Sequence, residues 1–163
     1  MSRQILPNKT IAEQVWIKPV YILIFLLMGL TGFGQMPIFK RYYIADIPGL
    51  AWLDQYYVTH TIHYLGAIAL LALIAYGLVI YGAMLRKQYR LTVLAWIRVV
   101  LLAGIVGTGI FRVLKNLPDV VFSPGFTMFI DIAHLCFMMF YLVIALVSII
   151  TKQKWLKVKA STY

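Results

Sequence analysis

The sequence predicts an all-α integral membrane protein, a bundle of four transmembrane helices with both termini on the cytoplasmic side. Three observations predict it. The chain is 63% hydrophobic and only 12% charged, with a mean hydropathy of +0.87, more apolar surface than a water-soluble domain of this length buries. Four apolar runs, Val20–Phe39, Val58–Met84, Leu91–Phe111 and Phe126–Thr151, reach the roughly 20 residues that a bilayer core requires. The cations, finally, are distributed by side. Arg3, Lys9 and Lys18 precede the first run; Arg86, Lys87, Arg90 and Arg98 surround the turn between the second and third; Lys152, Lys154, Lys157 and Lys159 follow the fourth. Four spans put all of these on one face. Lys40, Arg41, Arg112 and Lys115 fall on the other, offset by Asp46, Asp54 and Asp119. Positive residues mark the cytoplasmic face, so the net charge of +10 reads as orientation and anionic headgroup contact rather than nucleic-acid binding.

Hydrocarbon offers the backbone no hydrogen-bond partner, so spanning segments are helices or closed barrels. Runs this long without apolar–polar alternation are helices. Residues 1–18 form a cytoplasmic lead-in with an amphipathic turn at Thr10–Trp16; 19–151 form the membrane domain; 152–163 form a basic cytoplasmic tail. No small-residue cleavage motif follows the first apolar run, which points to a retained span. It ends at Gly34-Gln35-Met36-Pro37. The outer loop Ile38–Tyr57 is rich in aromatic residues that suit a membrane interface, and Gly49–Tyr57 is expected as a short interfacial helix. The second outer loop, Asn116–Gly125, is punctuated by Pro118, Pro124 and Gly125. Cys136, the sole cysteine, excludes a disulfide framework, a CxxC iron–sulfur motif and covalent c-type haem attachment. No internal repeat, low-complexity segment or separate soluble domain is evident.

Chemistry concentrates in three histidines. His60 and His63 open the second span three residues apart, on roughly one face. His134 lies in the outer half of the fourth. At about 1.5 Å rise per residue, His63 lies roughly 7 Å and His134 roughly 12 Å below the outer ends of their runs, at compatible depths. Ionisable side chains inside a membrane are costly and usually functional, and two imidazoles from different helices are the axial pair a b-type haem takes. Gly66 and Ala67 offer a flat surface against which a porphyrin can lie. Gly104, Gly107 and Gly109 thin the third helix at similar depth, for a cofactor or for ordinary helix packing. Arg112, at the outer end of that helix, suits a haem propionate or snorkels to the interface. Asp131, three residues before His134, calls for a salt bridge to Arg112, an orienting hydrogen bond near the haem, or proton exchange at a quinone.

This layout resembles the four-helix cytochrome b (gamma) membrane subunits of respiratory formate dehydrogenases, thiosulfate reductases and nickel–iron hydrogenases. The resemblance covers most of 15–151 and rests on short motifs: Leu30-Thr31-Gly32, His63-Tyr64-Leu65-Gly66-Ala67, Gly107-Thr108-Gly109-Ile110-Phe111-Arg112 and His134. It implies a non-catalytic electron-transfer subunit of the bacterial or archaeal cytoplasmic membrane. Such a subunit links a peripheral iron–sulfur or multihaem cytochrome subunit to menaquinone or ubiquinone. Members of that family hold two b haems. Where the second haem would find its ligands, this chain has Lys18 and Ser148, so the resemblance implies a mono-haem form with one outer-side haem b on His63 and His134. His60 is then a substitute ligand, or a hydrogen-bonding group near a propionate or quinone. Two readings of other classes stand beside it: a haem-free anchor or assembly scaffold, and a small proton-coupled transporter using Asp131 and the histidines.

Overall fold

The computed structural model describes residues 17–38 and 42–159; the expected turn at 10–16 and the outer-loop cations Lys40 and Arg41 lie outside them. The chain is all-α in its long elements: α1 (Ile17–Gly34), α2 (Tyr56–Ile80), α3 (Val93–Leu114) and α4 (Pro124–Ile150). All four are long and apolar enough to cross a membrane, making this a multi-pass membrane protein. It packs as two compact units, 1–83 and 84–163, each built on one antiparallel helical hairpin.

In the first unit α1 stops at Gly34, where the expected Gly34-Gln35-Met36-Pro37 turn begins. A Cβ on Gly34 would lie 3.1 Å from the Leu53 carbonyl oxygen and 3.2 Å from its Cδ2, so the glycine lets Leu53, 1% exposed, close the end of the hairpin. The segment before α2 is not the single interfacial helix expected over Gly49–Tyr57. It makes two 3₁₀ turns, Ile44–Asp46 and Ala51–Asp54, separated by Pro48 and by Gly49 at φ 88, a conformation that favours glycine. α2 then begins at Tyr56 and runs into a π turn at Tyr81–Leu85.

In the second unit side chains cap both helix starts. Thr92 accepts from the Ala95 amide at 3.2 Å, and Ser123 accepts from Phe126 at 3.3 Å with Pro124 in the first turn, where its missing N–H costs nothing. One short strand pair was not anticipated. β1 (Tyr89–Leu91) runs antiparallel to β2 (Leu156–Val158), with Tyr89 opposite Val158 and Leu91 opposite Leu156. The basic tail is therefore tied to the turn before α3. Arg98 lies in α3, within the third apolar run as expected, but it is buried, 6% exposed.

Each hairpin packs along a stripe three or four residues apart, as helical periodicity requires. Phe25, Met28, Thr31 and Gly34 of α1 are buried, as are Thr59, Gly66 and Leu70 of α2. Gly66 is not a porphyrin surface: a Cβ there would lie 2.7 Å from Met28 Cγ. In the second hairpin a Cβ on Gly104 would lie 2.9 Å from three ring atoms of Phe137. These are small-against-large helix contacts. Leu23, Ile68, Val100 and Phe140 point outward and are exposed, an exterior that lipid solvates. Gly104→Ala should therefore cost about 1–3 kcal/mol through overpacking against a rigid ring. Gly107→Ala, where an added Cβ meets nothing within 4 Å, should change stability by less than about 0.5 kcal/mol. Thermal unfolding of the two variants in detergent makes the comparison.

Candidate functional site

The two histidines expected to matter most are held in the same way, one in each hairpin. In the first, Thr31 Oγ1 lies 2.8 Å from the Leu27 carbonyl oxygen and 3.1 Å from His63 Nδ1. In the second, Thr108 Oγ1 lies 2.7 Å from the Gly104 carbonyl oxygen and 2.9 Å from His134 Nδ1. A threonine hydroxyl has one hydrogen, and in both cases the shorter contact is to the carbonyl four residues back, the usual bond for threonine inside a helix. The hydroxyl oxygen is then an acceptor, and the imidazole Nδ1–H donates to it. That assignment leaves the ring lone pair on Nε2, the nitrogen a metal takes when Nδ1 is committed elsewhere.

Glycine next to each threonine lets the ring approach. A Cβ on Gly32 would lie 3.3 Å from His63 Cε1, and one on Gly109 would lie 3.5 Å from His134 Cε1. The first is tight and the second ordinary contact, so Gly32 is the more constrained of the two. Gly107, by contrast, borders open space. The three glycines of α3 thus have three separate roles: Gly104 seats Phe137, Gly109 lies against His134, and Gly107 is uncovered.

One turn further out, each hairpin carries a second polar contact between equivalent positions. His60, three residues before His63, has Nδ1 at 3.5 Å from Oε1 of Gln35, four residues after Thr31. Asp131, three before His134, meets Nε of Arg112, four after Thr108, at 3.2 Å. Lys115 Nζ adds bonds of 2.9 and 2.8 Å to the two Asp131 oxygens. Of the roles open to Asp131, a salt bridge to Arg112 is present, and Lys115 is a partner the sequence reading missed. The buried stripes repeat as well. Thr59 and Leu70 flank His63 at −4 and +7, and Ile130 and Tyr141 flank His134 at the same offsets. Phe25 and Met28 precede Thr31 by six and three, and Leu102 and Ile105 precede Thr108 likewise. The two hairpins thus share one plan, although the sequence shows no internal repeat and few residue identities mark it. Thr31 and Thr108 stand in the short motifs that carry the resemblance, but the sequence reading gives them no role. Their signal was a Thr-Gly pair on the helix before each histidine helix.

Among the described residues no group of three or more His, Cys, Asp or Glu could hold a metal ion. His63 and His134 belong to different units. No family model, curated protein or solved structure matches the chain.

Replacing Thr31 or Thr108 by valine keeps the shape and removes the acceptor. Each variant should lose about 1 kcal/mol, whereas Thr61→Val, on an exposed face of α2, should change stability by less than about 0.5 kcal/mol. Asp131→Asn leaves Arg112 and Lys115 facing a neutral group. With the carboxylate 40% exposed, a loss of roughly 1–2 kcal/mol is expected, between the values for surface and buried pairs. Denaturation in detergent reads all four variants.

Proposed function

We propose that the protein is a b-type cytochrome membrane subunit of a respiratory oxidoreductase. It would pass electrons between a peripheral iron–sulfur or multihaem cytochrome subunit and the menaquinone or ubiquinone pool. One observation carries this reading: the threonine-to-imidazole contact occurs twice, in two hairpins of one plan, and a ring whose Nδ1–H donates to the hydroxyl carries its lone pair on Nε2. A haem b iron takes two such imidazoles, and an intramembrane histidine held by a polar second partner is what ligation requires. His63 and His134 are the proposed axial ligands.

When bound, the haem supplies one-electron redox chemistry. The chain's own residues do the rest. Thr31 and Thr108 fix each ring and make it a stronger donor by accepting its Nδ1–H. Arg112 and Lys115 share one carboxylate, Asp131, so the trio keeps a net positive charge one turn outward of His134, suited to a propionate. His60, with Gln35, occupies the matching place outward of His63 and serves as a hydrogen-bonding group for a propionate or quinone. Gly107 leaves room that a larger side chain would fill. The segment 42–57 exposes Tyr42, Tyr43 and Tyr57, aromatic surface for the peripheral subunit. The one-sided cations favour cytoplasmic termini in a bacterial or archaeal inner membrane.

The test is haem content and spectrum of the protein purified in mild detergent. One haem b per chain is expected by pyridine haemochrome, lost in His63→Ala and in His134→Ala and retained in Cys136→Ala. Gly107→Leu should fold normally yet hold less haem. A colourless preparation after expression with ample haem would overturn the proposal and leave the haem-free scaffold or proton-coupled transporter readings.

A further inference from the structure

Arg98 is the one described side chain with buried polar atoms that find no hydrogen-bond partner, and the two atoms are Nε and Nη2. The residue is 6% exposed. Those two nitrogens form the side-on edge of the guanidinium, whose parallel N–H groups match two oxygens of one phosphate or carboxylate. A buried cation left so is strongly unfavourable unless an anion meets it.

Among the described residues of this unit no carboxylate is near. The acidic residues after position 84 are Asp119 and Asp131. Asp119 follows the opposite end of α3, and Asp131 is engaged there with Arg112 and Lys115. Among the described residues, the charges at Arg98's own end of α3 are all positive. Arg90 and Lys157 face each other across the strand pair, Lys154 and Lys159 flank β2, and all four are exposed. The start of α3 adds the positive end of its dipole. The Trp155 ring, 4.6 Å from the guanidinium carbon, covers the group, and Thr92 fastens that segment by its Oγ1 bond to the Lys154 carbonyl at 3.0 Å. Arg98 lies five residues beyond Val93, about 8 Å along the axis from the start of a membrane-length helix, at headgroup depth. Basic pockets between helices at that depth take lipid phosphates.

We infer that Arg98, roofed by Trp155 and ringed by the basic strand pair, is a binding site for the phosphate of an anionic phospholipid headgroup. The phosphate oxygens take the Nε and Nη2 edge, and the exposed lysines and arginines attract the lipid. Water does not reach the edge in the closed arrangement, so the headgroup enters by displacing the Trp155 ring or the turn at 151–154 that carries it. The inference is independent of whether the chain holds haem.

The test uses the full-length protein in mild detergent, with native mass spectrometry and thermal unfolding. Phosphatidylglycerol, phosphatidylcholine and inorganic phosphate are the probes. Wild type should retain one phosphatidylglycerol at least about tenfold more strongly than phosphatidylcholine, with a higher Tm when it is added. Arg98→Lys, which keeps charge but loses the fork, should lose both effects; Cys136→Ala, at an exposed position of α4, should keep them. Inorganic phosphate that displaces the lipid and reproduces the Tm rise would overturn the lipid and assign the fork to a free phosphate. No preference for phosphatidylglycerol in wild type, or equal retention in Arg98→Lys, would overturn the site altogether. So would an Arg98→Met variant of higher Tm whose lipid retention is unchanged.

Discussion

A histidine inside a membrane-length helix needs an acceptor for its ring N–H, and in hydrocarbon water does not supply one. Here a threonine hydroxyl on the neighbouring helix supplies it twice, to His63 and to His134. The hydroxyl can accept because its own hydrogen is already spent on the carbonyl a turn back. Much of each hairpin follows from that contact. It requires close helix approach, which Gly32 and Gly109 permit. It fixes the register of the two helices, since a slip of one residue turns the imidazole away from the hydroxyl. With register fixed, the stripes on either side fall into place: a buried residue four before and seven after each histidine.

The two hairpins meet the same constraint with different side chains. In the first, the small residue is on the second helix, where Gly66 receives Met28; in the second it is on the first helix, where Gly104 receives Phe137. Swapping bulk across a contact preserves its filled volume while erasing sequence likeness. The outer polar pair changes likewise, from Gln35 with His60 to Arg112 and Lys115 with Asp131. If the proposed function holds, the shared plan keeps the two hairpins alike at the imidazole while the exchanged chemistry makes them unlike one turn further out.

The spans were legible because apolar run length is a strong signal, and the histidines stood out as polar groups in hydrocarbon. The end of the first helix was legible too: the apolar run extends to Phe39, but the Gly34-Gln35-Met36-Pro37 turn marks where α1 stops, and Leu53 packs on Gly34 there. Glycine roles were not legible at all. Gly66 and Gly104 seat side chains and Gly107 seats none, a difference that depends on which neighbour faces each, not on the glycines. Thr31 and Thr108 were hidden because threonine is common in membrane helices and its value lies in what stands 32 or 26 residues later. Arg98 looked like one more interfacial cation. Only the return of the tail along β1 and the seating of Trp155 bury it.

The proposed function requires Nδ1 of both histidines to be committed to threonine and both Nε2 atoms to bind one haem iron. Low-temperature electron paramagnetic resonance of the oxidised, detergent-purified protein tests it most directly. The account predicts a low-spin ferric signal of the paired-imidazole type in wild type. In Thr31→Val and Thr108→Val the signal should broaden or shift while haem remains bound. A high-spin ferric signal in wild type would contradict paired ligation, and a low-spin signal indifferent to both threonines would contradict their part in holding the rings.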